Sequence, residues 1–377
     1  MHSTLSPELE EFRAACRAAA EQHFEPHAAA VDGGDFIPVE LRARLAELGA
    51  FGLPFPSSVG GGDGTFLAWS VMLEEIARVM PVLGLYLQTN TIVAGAIMQS
   101  GTPEQVDEWV PSLLSGERSG FLAFTEPQTG SDTRMMTTRA ERAPGGWKIT
   151  GQKRWISNAR SADIGIVFAR DPDGDVSLFL VPTDRKGFEV GAQIPVMGLR
   201  GTELTDLYLD GVEVSDDSLM GGGTGGQFLT LKKVMPIGKV GMAAMCVGLM
   251  QRCLEESVRY ARDRQAQGHA IIEFQAIHRL IADMVSLTEA SRQMAYWGAT
   301  CKDQGSDAIT ELATTKLFTT NAAMDVTSMA VSVHGVYGIA QGAVVERLYR
   351  DARVFELLEG PSEVQRELVM RAVREIK

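Results

Sequence analysis

Apolar residues along the first 116 or so positions recur at three- and four-residue steps, the period of an amphipathic helix. Pro7-Glu-Leu-Glu-Glu-Phe-Arg opens one helix, with Phe12 and Cys16 at helical spacing, and Pro38 to Leu48 forms another that stops at Gly49. Phe66–Val79 and Thr89–Gln99 complete a helical unit. The run from Val59 to Gly64 reads as a flexible turn; no lysine or helix start follows to make it a phosphate loop. Near Gly120 the texture changes to short alternating segments broken by turns. Strands are predicted at Trp147–Trp155, Ile164–Ala169, Val176–Val181, Phe188–Gly191 and Leu204–Leu209, with Asp-Pro-Asp-Gly174 turning between two of them. The glycine-rich stretch from Gly221 to Gly226 is a linker, and Pro236 and Gly238 are expected to disturb the helix that follows. Beyond it, Val240–Asp263, Glu273–Cys301, Ala308–Val333 and Ala343–Val354 are long amphipathic stretches, with a shorter one from Pro361 to Ile376. Helices of that length with short connections pack as a bundle. The predicted fold is α+β multidomain: an N-terminal α-helical domain (1–117), a middle β-barrel-like domain (118–222) and a C-terminal four-helix bundle (227–377).

A chain of 377 residues has room for these three units, each with its own core. Its 48 acidic and 35 basic side chains give a net charge of −13, which argues against nucleic acid or an anionic membrane surface as partner. No run of 18 apolar residues and no apolar leader is seen, so a soluble, cytoplasmic protein is expected. Cys16, Cys246, Cys253 and Cys301 are scattered. Cys246 and Cys253 stand at heptad spacing instead of a CxxC metal spacing, so buried reduced thiols and no metal site are expected.

Three segments carry candidate chemistry. A lone Thr-Glu-Pro or Gly-Ser-Asp would be turn chemistry, but FLAFTEPQTGSD (Phe121–Asp132) is followed by Trp155-Ile-Ser-Asn158, and Leu-Glu359-Gly-Pro lies near the C-terminus. Glu359 follows Val345-Glu-Arg-Leu-Tyr-Arg-Asp-Ala-Arg353, and Tyr260-Ala-Arg-Asp-Arg264 is followed by Glu273-Phe-Gln275. In this order, within a helices–β–helices layout, these segments resemble the acyl-CoA dehydrogenase family over nearly the whole chain.

The resemblance implies FAD as cofactor. Phe124 and Thr125 would lie at the flavin ring, Gly130 and Ser131 beside its pyrophosphate, Trp155 over a ring face and Ser157 near N5. Ser131 and Gly360 would also meet the thioester. Arg264 would reach the FAD phosphates of a neighbouring subunit, a task suited to its planar charged fork. Glu359 would be the general base that removes the α proton of an acyl thioester while hydride passes from the β carbon to the flavin. Its apolar neighbours would raise its pKa. The Met197-Gly-Leu-Arg-Gly-Thr202 block is similar to a family segment of the β domain and is assigned no chemistry.

Four positions depart from the family pattern: Ala266-Gln267-Gly268, Ser332 with Gly335-Val336, Pro361, and Leu358 before the glutamate. Three of them bear on the adenosine half of FAD. The apolar Val82–Leu87 favours an uncharged acyl tail. Implied partners are an acyl-CoA or acyl-carrier-protein thioester and an electron-transferring flavoprotein, with a homodimer or homotetramer expected. Two alternatives stay open: a dehydrogenase of carrier-bound acyl chains, and a subunit of a heteromeric dehydrogenase whose own flavin site is incomplete.

Overall fold

The computed structural model describes residues 5–34, 36–130, 132, 135–225, 227–305 and 308–374; within the helix that begins at Gln227, side chains are described from Val234 onward. Among the described residues, six α-helices come first: α1 (Pro7–His23), α2 (Ala28–Asp32), α3 (Val39–Glu47), α4 (Phe66–Val79), α5 (Pro81–Ser100) and α6 (Pro103–Ser115). Local chemistry sets their ends. The Ser6 hydroxyl accepts from Leu9 N–H at the start of α1, and Thr102 and Gln105 cap α6 reciprocally. Gly116, at φ 76°, ends α6 in the left-handed conformation that glycine adopts without strain. Helix α5 is buried on nearly every face, as expected of a helix that is apolar all round.

The middle unit is one seven-stranded sheet of β1 (Gly120–Ala123), β2 (Arg139–Ala143), β3 (Gly146–Ile156), β4 (Ile164–Arg170), β5 (Val176–Pro182), β6 (Phe188–Gln193) and β7 (Thr205–Ser215). The order is β1-β4-β2-β3-β7-β6, with β5 pairing antiparallel to β4 across the turn at Gly174 (φ 89°). Strands β1 and β2 were not predicted. The first is a four-residue, mostly buried segment with no alternation, and the second, Arg-Ala-Glu-Arg-Ala, presents only an alanine to the core.

Among the described residues, five α-helices follow the sheet: α7 (Gln227–Asp263), α8 (Gln275–Asp303), α9 (Ile309–His334), α10 (Val344–Leu357) and α11 (Ser362–Val373). Between α7 and α8 runs a two-stranded hairpin, β8 (Gln265–Ala266) and β9 (His269–Ala270). Helix α7 passes through Pro236 and Gly238 without a break, against the expectation of a disturbed start. Proline removes one N–H bond, and burial of Ile237, Val240, Met242 and Ala243 outweighs that loss. The stretches Pro81–Ser100 and Val234–Asp263 are long and apolar enough to cross a membrane, yet 89% of each apolar window is buried inside the protein.

The three units meet at the Met197–Thr202 segment. A Cβ on Gly198 would lie 2.3 Å from the Arg350 carbonyl, so only glycine permits this approach of loop to α10. Leu199 N–H donates to the Asp351 carboxylate at 2.5 Å, while Arg350 donates to Asp32 at 2.9 and 2.6 Å and to the Met197 carbonyl at 2.7 Å. Burial pushes Asp351 up to about 6. This block therefore joins the sheet and the N-terminal helices to the helix that leads into Glu359.

Candidate active site

Glu126, in the loop after β1, is 2% exposed and accepts from Thr137 N–H (2.7 Å), the Thr137 hydroxyl (2.8 Å), Thr138 N–H (3.0 Å) and Lys153 Nζ (2.9 Å). Lys153 on β3 is fully buried and also donates to the Phe124 carbonyl at 3.3 Å, while Arg154 N–H donates to the Thr125 carbonyl at 2.8 Å. Burial pushes the Glu126 carboxyl up, but the Lys153 ammonium and the two threonines outweigh it and hold it at about 2. Burial brings Lys153 down to about 8 against the pull of Glu126. Phe124, Thr125 and Glu126 are thus riveted to β3 by a buried ion pair and backbone bonds.

Immediately after Lys153, β3 and β7 lose register by one residue, and this bulge re-aims Trp155. Trp155 has φ 61° and is 47% exposed, an unusual state for a bulky aromatic. The Arg154 guanidinium stands 5.0 Å from its ring centroid, and Asn158 is left-handed too (φ 64°). Phe124 is set edge-on to Phe168 at 5.0 Å. Ser157 is half-buried, and Gly130 is exposed, with space where a Cβ would come no nearer than 3.8 Å to Thr125. Ser131 lies outside the described residues. A strained, half-bare indole next to the Phe124-Thr125 backbone fits a flat ring laid against it.

Glu359 sits in the turn between α10 and α11 with φ 53°, followed by Gly360 at φ 82°. Its carboxylate is turned inward against α7: a Cβ on Gly238 would lie 2.4 Å from Glu359 Oε2. Lys239 (5% exposed) and Lys316 (fully buried) flank it. Lys316 Nζ donates to the Gly360 carbonyl at 2.7 Å and the Glu356 carbonyl at 3.1 Å, and Gln365 Nε2 donates to the carbonyls of Glu359 and Gly360 at 3.1 and 2.8 Å. Burial raises the Glu359 pKa, opposed by Lys316 and then Lys239; burial also lowers both lysines to about 8. Among the described residues the Glu359 N–H has no acceptor. Phe124 and Leu358 pack against the same continuous core, so the two halves of the site share one support.

A third cluster lies at the end of α7. Arg264 is exposed, with its guanidinium 5.6 Å from the Tyr337 ring centroid, and Tyr260 stacks on His334 at 4.4 Å. Gln267 and Gly268, at φ 52° and 85°, make the two-residue turn of the β8–β9 hairpin. Val336, Tyr337 and Ile339 are exposed by 80%, 62% and 68%.

Residues 6–117, 122–212 and 228–374 match, in turn, the acyl-CoA dehydrogenase N-terminal, middle and C-terminal domains. The chain belongs to the acyl-CoA dehydrogenase family. It is 32% identical to the caffeyl-CoA reductase–Etf complex subunit CarC of Acetobacterium woodii, covering 90% of each chain. It is also 32% identical to the human mitochondrial short-chain specific acyl-CoA dehydrogenase, over 93% of this chain and 86% of that one. Butyryl-CoA dehydrogenase from Megasphaera elsdenii superposes with a TM-score of 0.94 at 29% identity, covering 99% of this chain and 100% of that one. Members of this family use FAD, act on CH–CH bonds of acyl-CoA substrates and typically pass electrons to an electron-transferring flavoprotein.

Gly238, Lys239, Lys316, Glu126 and Lys153 escaped the sequence reading. In the sequence alone Gly238 reads only as a helix breaker. Only Lys239 lies inside an apolar run, between Ile237-Gly238 and Val240, where a lone charge is a signal that could have found it; Lys153 and Lys316 have polar neighbours that hide them.

Proposed function

We propose that this protein oxidises the α,β carbon–carbon bond of an acyl thioester, with Glu359 as general base. The observation that carries the reading is the Glu359 carboxylate pressed against Gly238 between two buried ammonium groups. Burial makes it a stronger base than a solvated glutamate, and the lysines oppose that rise by favouring the ionised form. Its unbonded N–H is available to the thioester oxygen, where charge develops as the α proton leaves. FAD, when bound, supplies the acceptor for the hydride. Phe124, Thr125, Trp155 and Ser157 would hold its ring end, Gly130 and Ser131 its pyrophosphate, and Gly360 with Ser131 would meet the thioester. Trp155 would cover one ring face and so exclude water from it.

At the adenosine end, Arg264 stands free of any acidic partner within the described residues, beside the exposed turn of Val336, Tyr337 and Ile339. A second chain covering this turn would complete the cofactor site, in line with a homodimer or homotetramer. Glu359→Gln tests the base. The variant should purify as yellow as the parent yet fail to bleach with any acyl-CoA; retained bleaching means another residue takes the proton. A colourless parent that takes up no FAD would instead favour a heteromer whose flavin site another chain completes.

A further inference from the structure

The face of α7 that supports Glu359 also meets a second polar group. One turn along from Gly238, a Cβ on Gly241 would lie 2.3 Å from Gln88 Oε1 and 3.0 Å from the Trp69 ring. Gln88 projects from α5 toward this strip. It is fully buried, and neither its amide oxygen nor its amide nitrogen has a hydrogen-bond partner among the described residues. Buried amides are nearly always paired, because an unmet donor and acceptor both lose their water. The Trp69 ring, which meets the same Gly241 position, is fully buried as well. Helix neighbours three residues apart have Cβ positions about 5–6 Å from one another, so the base and the amide border one glycine-lined strip.

We propose that Gln88 reads the acyl tail, and that the preferred substrate bears an uncharged hydrogen-bonding group, such as a hydroxyl or an amide, a few bonds beyond its β carbon. The inference rests on the dehydrogenase reading, since Glu359 fixes where the α carbon lies. A neutral group suits the site because the amide offers one acceptor and two donors but no countercharge. An apolar tail of the same size would leave both amide atoms unmet, and sites built to hydrogen-bond a substrate reject the analogue that lacks the group.

The test uses the FAD-loaded protein and pairs of thioesters that differ by hydroxyl against methyl: 4-hydroxybutyryl-CoA against valeryl-CoA, and 5-hydroxyvaleryl-CoA against hexanoyl-CoA. Flavin bleaching gives kcat/KM, and the ligand-induced shift in melting temperature gives binding without turnover. The hydroxylated member of at least one pair should be preferred by about tenfold or more, and Gln88→Leu should erase or invert that preference. The wild-type ratio decides alone if the variant does not fold. Equal use of both members, a preference for the apolar one, or a ratio unchanged in Gln88→Leu overturns the proposal while leaving the dehydrogenase intact. Selective binding of the hydroxylated thioester without bleaching upholds Gln88 and sinks the reaction. Binding of neither member of either pair overturns both.

Discussion

The Glu359 carboxylate occupies the volume that a side chain at position 238 would fill: a Cβ on Gly238 would stand 2.4 Å from Oε2. Glycine inside a helix normally destabilises it by about 1 kcal/mol relative to alanine, so Gly238 is a local loss that clears room for the base. Gly238→Ala should therefore leave the melting temperature unchanged or raise it, because the displaced group is the end of a flexible side chain. Turnover should fall by about a hundredfold or more, the order expected when a catalytic group moves by roughly 1 Å. Full activity in Gly238→Ala would mean that the carboxylate works from another position.

The two lysines predict a pH dependence. Burial raises the Glu359 pKa, and Lys316 followed by Lys239 opposes the rise. A protonated glutamate cannot take a proton, so activity should appear as pH rises through a value above the usual glutamate range. Lys239→Met removes one opposing cation and should move this limb to higher pH, whereas Lys239→Arg should leave it in place. Single-turnover flavin bleaching against pH reads this directly. The linked stability has the opposite sense: folding favours the neutral acid, so Glu359 contributes stability at low pH that is lost as pH rises through its folded pKa. Glu359→Gln should then be more stable than the parent at neutral pH, with the difference vanishing in acid.

The helix–sheet–helix order and most element limits were legible because apolar period alone separates a buried helix from a buried strand: Phe66–Val79 matches α4 end to end. The arrangement around Glu359 was not. Its geometry depends on Gly238 and Lys239, 121 and 120 residues away in sequence, on a helix whose proline and glycine suggested interruption. Local propensity spoke against α7, and packing of Ile237 and Val240 overrode it. Likewise Trp155 was legible as an aromatic at the end of a strand. The bulge that bares it is a register shift against β7, which no single segment encodes.

The pair Glu126–Lys153, with both side chains fully buried, should be indispensable in one direction only. Lys153→Met leaves a buried carboxylate without its cation and should destabilise by about 3–5 kcal/mol. The double variant with Glu126→Gln should recover much of that loss, as paired apolar or neutral replacements do. In the parent, Glu126 lies at about 2 against an ordinary 4.5, so its contribution is present at neutral pH and is lost as pH falls through that interval. Denaturant midpoints at neutral pH and near pH 3 measure both effects. An additive double variant would remove the coupling from the account.

Trp155 offers a separation of fold from cofactor. It is 47% exposed and held at φ 61°, where a non-glycine residue carries strain of about 1–2 kcal/mol. Trp155→Gly accepts that backbone without strain, which offsets part of what the half-buried ring contributes by packing, so the FAD-free protein should melt close to the parent. FAD affinity, read by quenching of flavin fluorescence, should weaken by about tenfold or more, the loss expected when an aromatic face no longer stacks. A collapse in melting temperature with FAD affinity intact would make the indole part of the hydrophobic core and return the ring face to some other side chain.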